Sequence, residues 1–131
     1  MNKISYLIIR LSVAISLFGH GLVRLPKLQT FSDGMLKEFE NSMLPSILVM
    51  PLSYAIPIAE FVFGLLLLVG LFTRFSAFGS AFLMLLLMFG TCMVENFGAL
   101  PSQFIHAGFC AILIHFIQSN SFALDKMNNK S

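Results

Sequence analysis

Residues 52–93 read LSYAIPIAEFVFGLLLLVGLFTRFSAFGSAFLMLLLMFGTCM. Two apolar runs, about 52–72 and 75–93, lie within this stretch. Each approaches or reaches the roughly 20 mainly apolar residues that a helix needs to cross a hydrocarbon core. Only Thr73 and Arg74 separate them. Two spanning helices joined by so short a turn must fold back on each other as an antiparallel hairpin. The first of the pair is apolar except for Ser53, Tyr54 and Glu60, and the second carries no charge.

Working outward, a further apolar run covers about 4–25 and contains Arg10, His20 and Arg24; a last one covers about 104–122 and contains His106 and His115. Lys3 precedes the first run as in a secretory signal, but Arg10 interrupts it and no small-residue cleavage site follows, so a retained helix is expected. The expected fold is all-α, an integral membrane four-helix bundle forming one domain over residues 1–131. Composition agrees. The chain is 57% hydrophobic and 11% charged, whereas soluble domains carry about a quarter charged residues and a small one could not bury so much apolar surface. The lipid bilayer is therefore the first partner. A net charge of +2 without a basic stripe gives no support for nucleic acid. Cys92 and Cys110 form no C-x-x-C motif and read as small apolar residues.

The connection over 26–51 is the only long one. Leu28, Phe31, Met35, Leu36, Phe39 and Met43 recur there at helical spacing, with Asp33, Lys37, Glu38 and Glu40 between them. That pattern predicts a short amphipathic helix lying on the membrane surface. Small residues four apart, such as Ser12 and Ser16, Ser76 and Ser80, and Ala107 and Ala111, together with Gly64, Gly70 and Gly79, offer points of close helix approach. With four spans both termini share a side. That side carries Lys3, Arg74, Lys126 and Lys130, against Arg24, Lys27 and Lys37 around the first connection, so cytoplasmic termini are expected.

Ionisable groups inside spans are costly and usually face a bundle interior or a water-filled cavity. Here they are Arg10, His20, Glu60, His106 and His115, with Arg24 expected at the outer boundary, able to snorkel. At about 1.5 Å per residue, His20 lies roughly 6 Å and Arg10 roughly 21 Å deeper than Arg24. Glu60 falls at a depth between them, roughly 12 Å below the end of its span, and His115 lies near the level of Arg10 and Glu60. An Arg10–Glu60 contact would offset much of the burial cost of both charges. Two readings stay open: a structural ion pair that fixes helix register, or a pocket in which these groups hold a polar or quinone-like ligand and His20 carries protons. A metal site of His20, His106 and Glu95 has unspecific spacing, so no metal is expected. No nucleotide loop, nucleophile elbow or zincin motif is present.

Three stretches resemble the DoxX family of small bacterial membrane proteins. RLSVAISLFGHGLVRL, 10–25, is similar to the family's opening helix, an Arg followed ten residues later by His-Gly and then a basic residue. PIAEFVFGLLLLVGLFTRFSA, 57–77, resembles its Glu, Gly, Gly-Leu and Thr-Arg pattern. FALD, 122–125, resembles a terminal Ser-Leu-Asp, with Ala123 in place of the Ser. Phe31 and Gly34 also fit the family's first connection, so the likeness covers nearly the whole chain. The resemblance implies a four-helix bundle in a bacterial inner membrane. It also implies a redox role, because related proteins include a membrane subunit of thiosulfate:quinone oxidoreductase and others are associated with oxidative-stress complexes. On that basis Glu60 and His20 are the candidate catalytic residues and Arg10, Arg24 and His115 the candidate ligand-binding ones. Quinone is the candidate cofactor, and a redox protein or a second copy of the chain is the candidate protein partner. The competing reading is a non-enzymatic membrane scaffold or assembly factor, the role of some distant relatives. A transporter is a weaker third, since four short helices leave little room for alternating access without oligomerisation.

Overall fold

Asn2 opens the first helix. Its Oδ1 accepts from the backbone N–H groups of Ile4 (2.7 Å) and Ser5 (3.3 Å), which have no partner inside the helix. In the computed structural model, which describes residues 1–120, 122 and 123, this helix is α1, Lys3–Arg24. A 3-10 turn at Leu25–Lys27, built on Pro26, carries it into α2, Leu28–Glu38. Then come α3, Ser46–Val69, α4, Thr73–Met93, and α5, Leu100–His115, with 3-10 turns at Phe97–Ala99 and Ile117–Ser119. Four helical segments are long and apolar enough to cross a membrane. Asp125, Lys126 and Lys130, used above for the terminal motif and the charge bias, lie outside the described residues.

The hairpin turn is built as the sequence demands. Gly70 takes a left-handed conformation (φ 74°) and ends α3. The N–H of Leu71 then closes back on the Leu66 carbonyl at 2.9 Å, the bond that satisfies a helix's orphan carbonyl when a glycine follows it.

Two helix ends and the setting of the amphipathic segment differ from expectation. α3 starts at Ser46, with Pro51 and Pro57 inside it. Prolines break helices in water, but in a membrane helix neighbouring groups re-satisfy the freed carbonyls, and this helix continues through both. α5 ends at His115 rather than near 122, after which the chain turns across the end of the bundle. The amphipathic segment over 28–38 is helical, but it does not lie free on a surface. It docks on α3 through a buried Ser32–Ser53 hydroxyl contact of 2.7 Å and a Tyr54-to-Gln29 hydrogen bond of 2.8 Å. Lys27, Asp33, Lys37 and Glu38 stay exposed.

α1 and α2 thus run one after the other along α3, antiparallel to it. Two glycines set the closeness of α1 and α3. A Cβ on Gly21 would stand 2.5 Å from the Phe61 nitrogen, and one on Gly64 would stand 2.3 Å from the Phe18 nitrogen, so the backbones touch. α4 packs on α3 and α5, and α5 returns to α1. The centre is apolar, with Ala14, Leu17, Leu67, Ala77 and Leu113 almost fully buried. The outside is apolar too. Phe75, Phe78, Phe82, Leu85 and Phe89 make one exposed stripe along α4, at the three-and-four spacing of a single helix face. Such a stripe suits lipid.

Candidate functional site

The polar interior of the bundle falls into two layers. The first lies at the end holding the α3–α4 turn. Arg10 is 2% exposed. Its Nη1 donates to Asn120 Oδ1 at 2.7 Å and its Nη2 to the Phe122 carbonyl at 2.8 Å. Asn120 Nδ2 donates to Thr73 Oγ1 at 2.9 Å, and Tyr6 donates to the Leu113 carbonyl at 2.9 Å. A side chain at Gly70 would collide with Ala123 and with the Arg10 guanidinium. This layer ties the segment after α5 to α1 and to the hairpin turn. The expected contact of Arg10 with Glu60 is therefore not made. Arg10 stands level with Gly70, ten residues or about 15 Å of rise along the chain from Glu60, so depth counted from the expected helix ends placed the two too close.

Glu60 belongs to the second layer, and its partner is Arg24. Arg24 Nη1 stands 2.7 Å from Glu60 Oε1; the side chains are 32% and 4% exposed respectively. The Arg24 guanidinium also lies 4.6 Å from the centre of the Phe31 ring, a stacking that favours Arg over Lys. Arg24 was expected at the outer boundary. It ends α1, the chain continues through the 3-10 turn at Pro26 into α2, and Arg24 sits beside the middle of α3. Glu60 is fourteen residues, about 21 Å of rise, from the start of α3 at Ser46.

Two histidines join this layer through Ser16. His20 Nδ1 is 2.6 Å from the Ser16 carbonyl, and His106 Nε2 is 2.7 Å from the Ser16 hydroxyl. His106 Nδ1 is 2.8 Å from the Ser102 carbonyl. A carbonyl only accepts, so in the neutral rings both Nδ1 atoms carry the proton. His106 Nε2 then accepts from the Ser16 hydroxyl. No hydrogen bond to His20 Nε2 is made among the described residues.

Above Glu60 the helices part around a cavity of about 700 Å³. Ser16, His20, Arg24, Glu60 and His106 line it on α1, α3 and α5, as do Phe31 and Met35 from α2 and Phe39 just after it. Leu52, Ile56, Met84 and Leu87 supply apolar wall, and Thr91 and Gln103 add a second polar spot where Gln103 Nε2 donates to Thr91 Oγ1 at 2.9 Å. The volume suits a small organic ligand. Of the five sequence-predicted residues, the structure gathers Glu60, His20 and Arg24. Arg10 is in the other layer. His115 is exposed, edge-on to Phe116 at 4.5 Å, and does not line the cavity. It stands two residues past Leu113, whose carbonyl takes the Tyr6 bond of the first layer, so it lies at the closed end of the bundle, away from Glu60, on the exposed side of α5. The linking role of Ser16 and the place of Gln103 were not legible beforehand. His106 figures in the sequence as an ionisable residue within a span and as part of a metal site with His20 and Glu95; no such metal group is assembled among the described residues.

A four-helix membrane protein with a buried acid–arginine pair at a largely apolar cavity is the class that fold and site define. The DoxX family model matches residues 5–93, and the chain belongs to that family. The match holds both layers' motif residues on α1, α3 and α4, and leaves α5 and the C-terminal segment outside. No curated protein and no solved structure matches the chain at a significant level.

Proposed function

We propose that this protein is the membrane subunit of a quinone-linked oxidoreductase and that the cavity above Glu60 holds the quinone head. The observation carrying this reading is the Arg24–Glu60 pair at the polar side of a cavity with mainly apolar walls. The pair is neutral as a unit, which suits an uncharged head that accepts hydrogen bonds better than a phosphate. Arg24 spends one N–H on Glu60 and keeps further donors for a head-group carbonyl, since a guanidinium carries five. Glu60, which accepts a hydrogen bond from Arg24, and His20 Nε2 would take and return the protons of the reduced head. A bound quinone supplies the two-electron, two-proton chemistry; the chain supplies position and charge. A partner redox protein would deliver the electrons. The same reading places the protein in a bacterial inner membrane with cytoplasmic termini.

The test is photolabelling of the purified protein in lipid nanodiscs with an azido-ubiquinone analogue, followed by peptide mapping. Label is expected on α1 and α3 near Arg24 and Glu60, competed by unmodified short-chain quinone. Label scattered over Phe75, Phe78 and Leu85 of α4, which do not line the cavity, without competition, would remove the quinone reading. A partner co-purifying with a chain that takes no label would instead mark a non-enzymatic scaffold.

A further inference from the structure

The cavity has a neighbour on the outer face of α1. A groove of about 530 Å³ is lined by Ser16, Gly19, His20, Val23 and Arg24. These positions form one helix stripe, and three of them, Ser16, His20 and Arg24, also line the inner cavity. The stripe begins where α5 touches α1, at the Ser16–His106 hydrogen bond. Beyond that contact no residue of α5 lines the groove, while Ser102 and Gln103 of α5 line the cavity. Helices α1 and α5 therefore separate above Ser16. His20 is exposed, and a Cβ added at Gly19 would meet nothing within 4 Å.

We infer that the bundle opens sideways to the bilayer between α1 and the first turns of α5, and that the cavity's occupant is a lipid entering through this portal. It is a molecule with a carbonyl head and a long apolar tail that stays in the membrane. The inference rests on the reading that the cavity holds a ligand. The charge of the entrance argues for the head group: Arg24 is already neutralised by Glu60, so the passage offers hydrogen-bond donors without net charge. The apolar surface of α1 along the groove argues for the tail, because Val23 in the groove and Ile15 next to Ser16 are each 62% exposed and can face only lipid in a membrane. A bilayer-borne molecule would then reach Arg24 without its tail ever leaving hydrocarbon.

The chain contains no tryptophan, so one introduced indole reports cleanly. Met84→Trp, and separately Leu87→Trp, place it on the cavity wall. The full chain is reconstituted in vesicles of unlabelled phosphatidylcholine that also contain a long-chain methyl ketone brominated along its tail, alone or with Gly19→Phe to fill the groove. Quenching of the cavity indole by the brominated ketone is expected at both positions, with at least a twofold reduction when Gly19→Phe is added and no change in thermal midpoint. Absence of quenching at both positions, or quenching unaltered by Gly19→Phe, would overturn the portal. The quinone reading is judged separately: quenching that responds to Gly19→Phe in a protein that takes no azido-quinone label keeps the portal and removes the quinone.

Discussion

Glu60 is almost fully buried and has one strong partner, so its charge is tolerable only while Arg24 is present. Removing one member of a fully buried ion pair costs about 3–5 kcal/mol. Arg24 keeps 32% of its side chain exposed, so the loss on Arg24→Met should fall below that range. A lowered thermal midpoint is expected, with recovery of most of it in Arg24→Met combined with Glu60→Gln. Additive losses in that double-mutant cycle would mean that the two residues do not act as a pair. The first layer predicts a different outcome. Asn120→Ala removes the hydrogen bonds that Asn120 makes to the Arg10 guanidinium and to the Thr73 hydroxyl, at a cost of about 1–3 kcal/mol. It should lower the midpoint by several degrees and leave the cavity's ligand affinity within twofold, as measured by a quinone titration. Both layers were marked in the sequence, since Arg10, His20, Arg24, Glu60, Gly70 and Thr73 all fall on the family-like stretches. What was not legible was which arginine meets Glu60. That choice depends on axial register: α3 starts at Ser46, and Gly70 stands level with Arg10 while Phe61 stands level with Gly21, which depths counted from Leu52 do not give. His115 was misread for the same reason: it lies beside the Leu113–Tyr6 contact at the closed end and not at the level of Glu60.

Helices α1 and α3 approach through glycine. Gly64→Leu forces a side chain into the Leu17–Phe18 backbone, and flexible neighbours cannot yield there. Loss of monodisperse protein in detergent is expected. Gly19→Ala is the matched control. It adds a methyl in open space and removes a helix-interior glycine, which is worth about 0.5–1 kcal/mol in favour of Ala. An unchanged or slightly higher midpoint should follow. Comparable damage from the two substitutions would show that the crossing is elsewhere. At this scale the four spans and the hairpin turn were legible, because apolar length and the Gly-Leu-x-Thr-Arg turn act locally. The start of α3 was not, because Pro51 was read by the rules of water. The docking of α2 was not either: Ser32 and Ser53 meet across a polar contact that hydrophobic spacing does not reveal.

For the molecule as a whole, the division of labour is vertical. One end is closed by Arg10, Asn120 and Thr73, which hold the chain after α5 across the bundle. The other part is open, a cavity roofed by α2 and floored by Arg24, Glu60, His20 and the Ser16–His106 link. The family-like residues serve both, so family membership by itself does not say which of them touch a ligand. The most direct measurement is a titration of the purified protein in nanodiscs with a short-chain ubiquinone, comparing the unaltered chain with Glu60→Gln and Asn120→Ala. The expected result is saturable binding that falls at least tenfold in Glu60→Gln and stays within twofold in Asn120→Ala. Equal affinity in the unaltered chain and Glu60→Gln, or an equal loss in both variants, would contradict the separation of a closing layer from a binding layer.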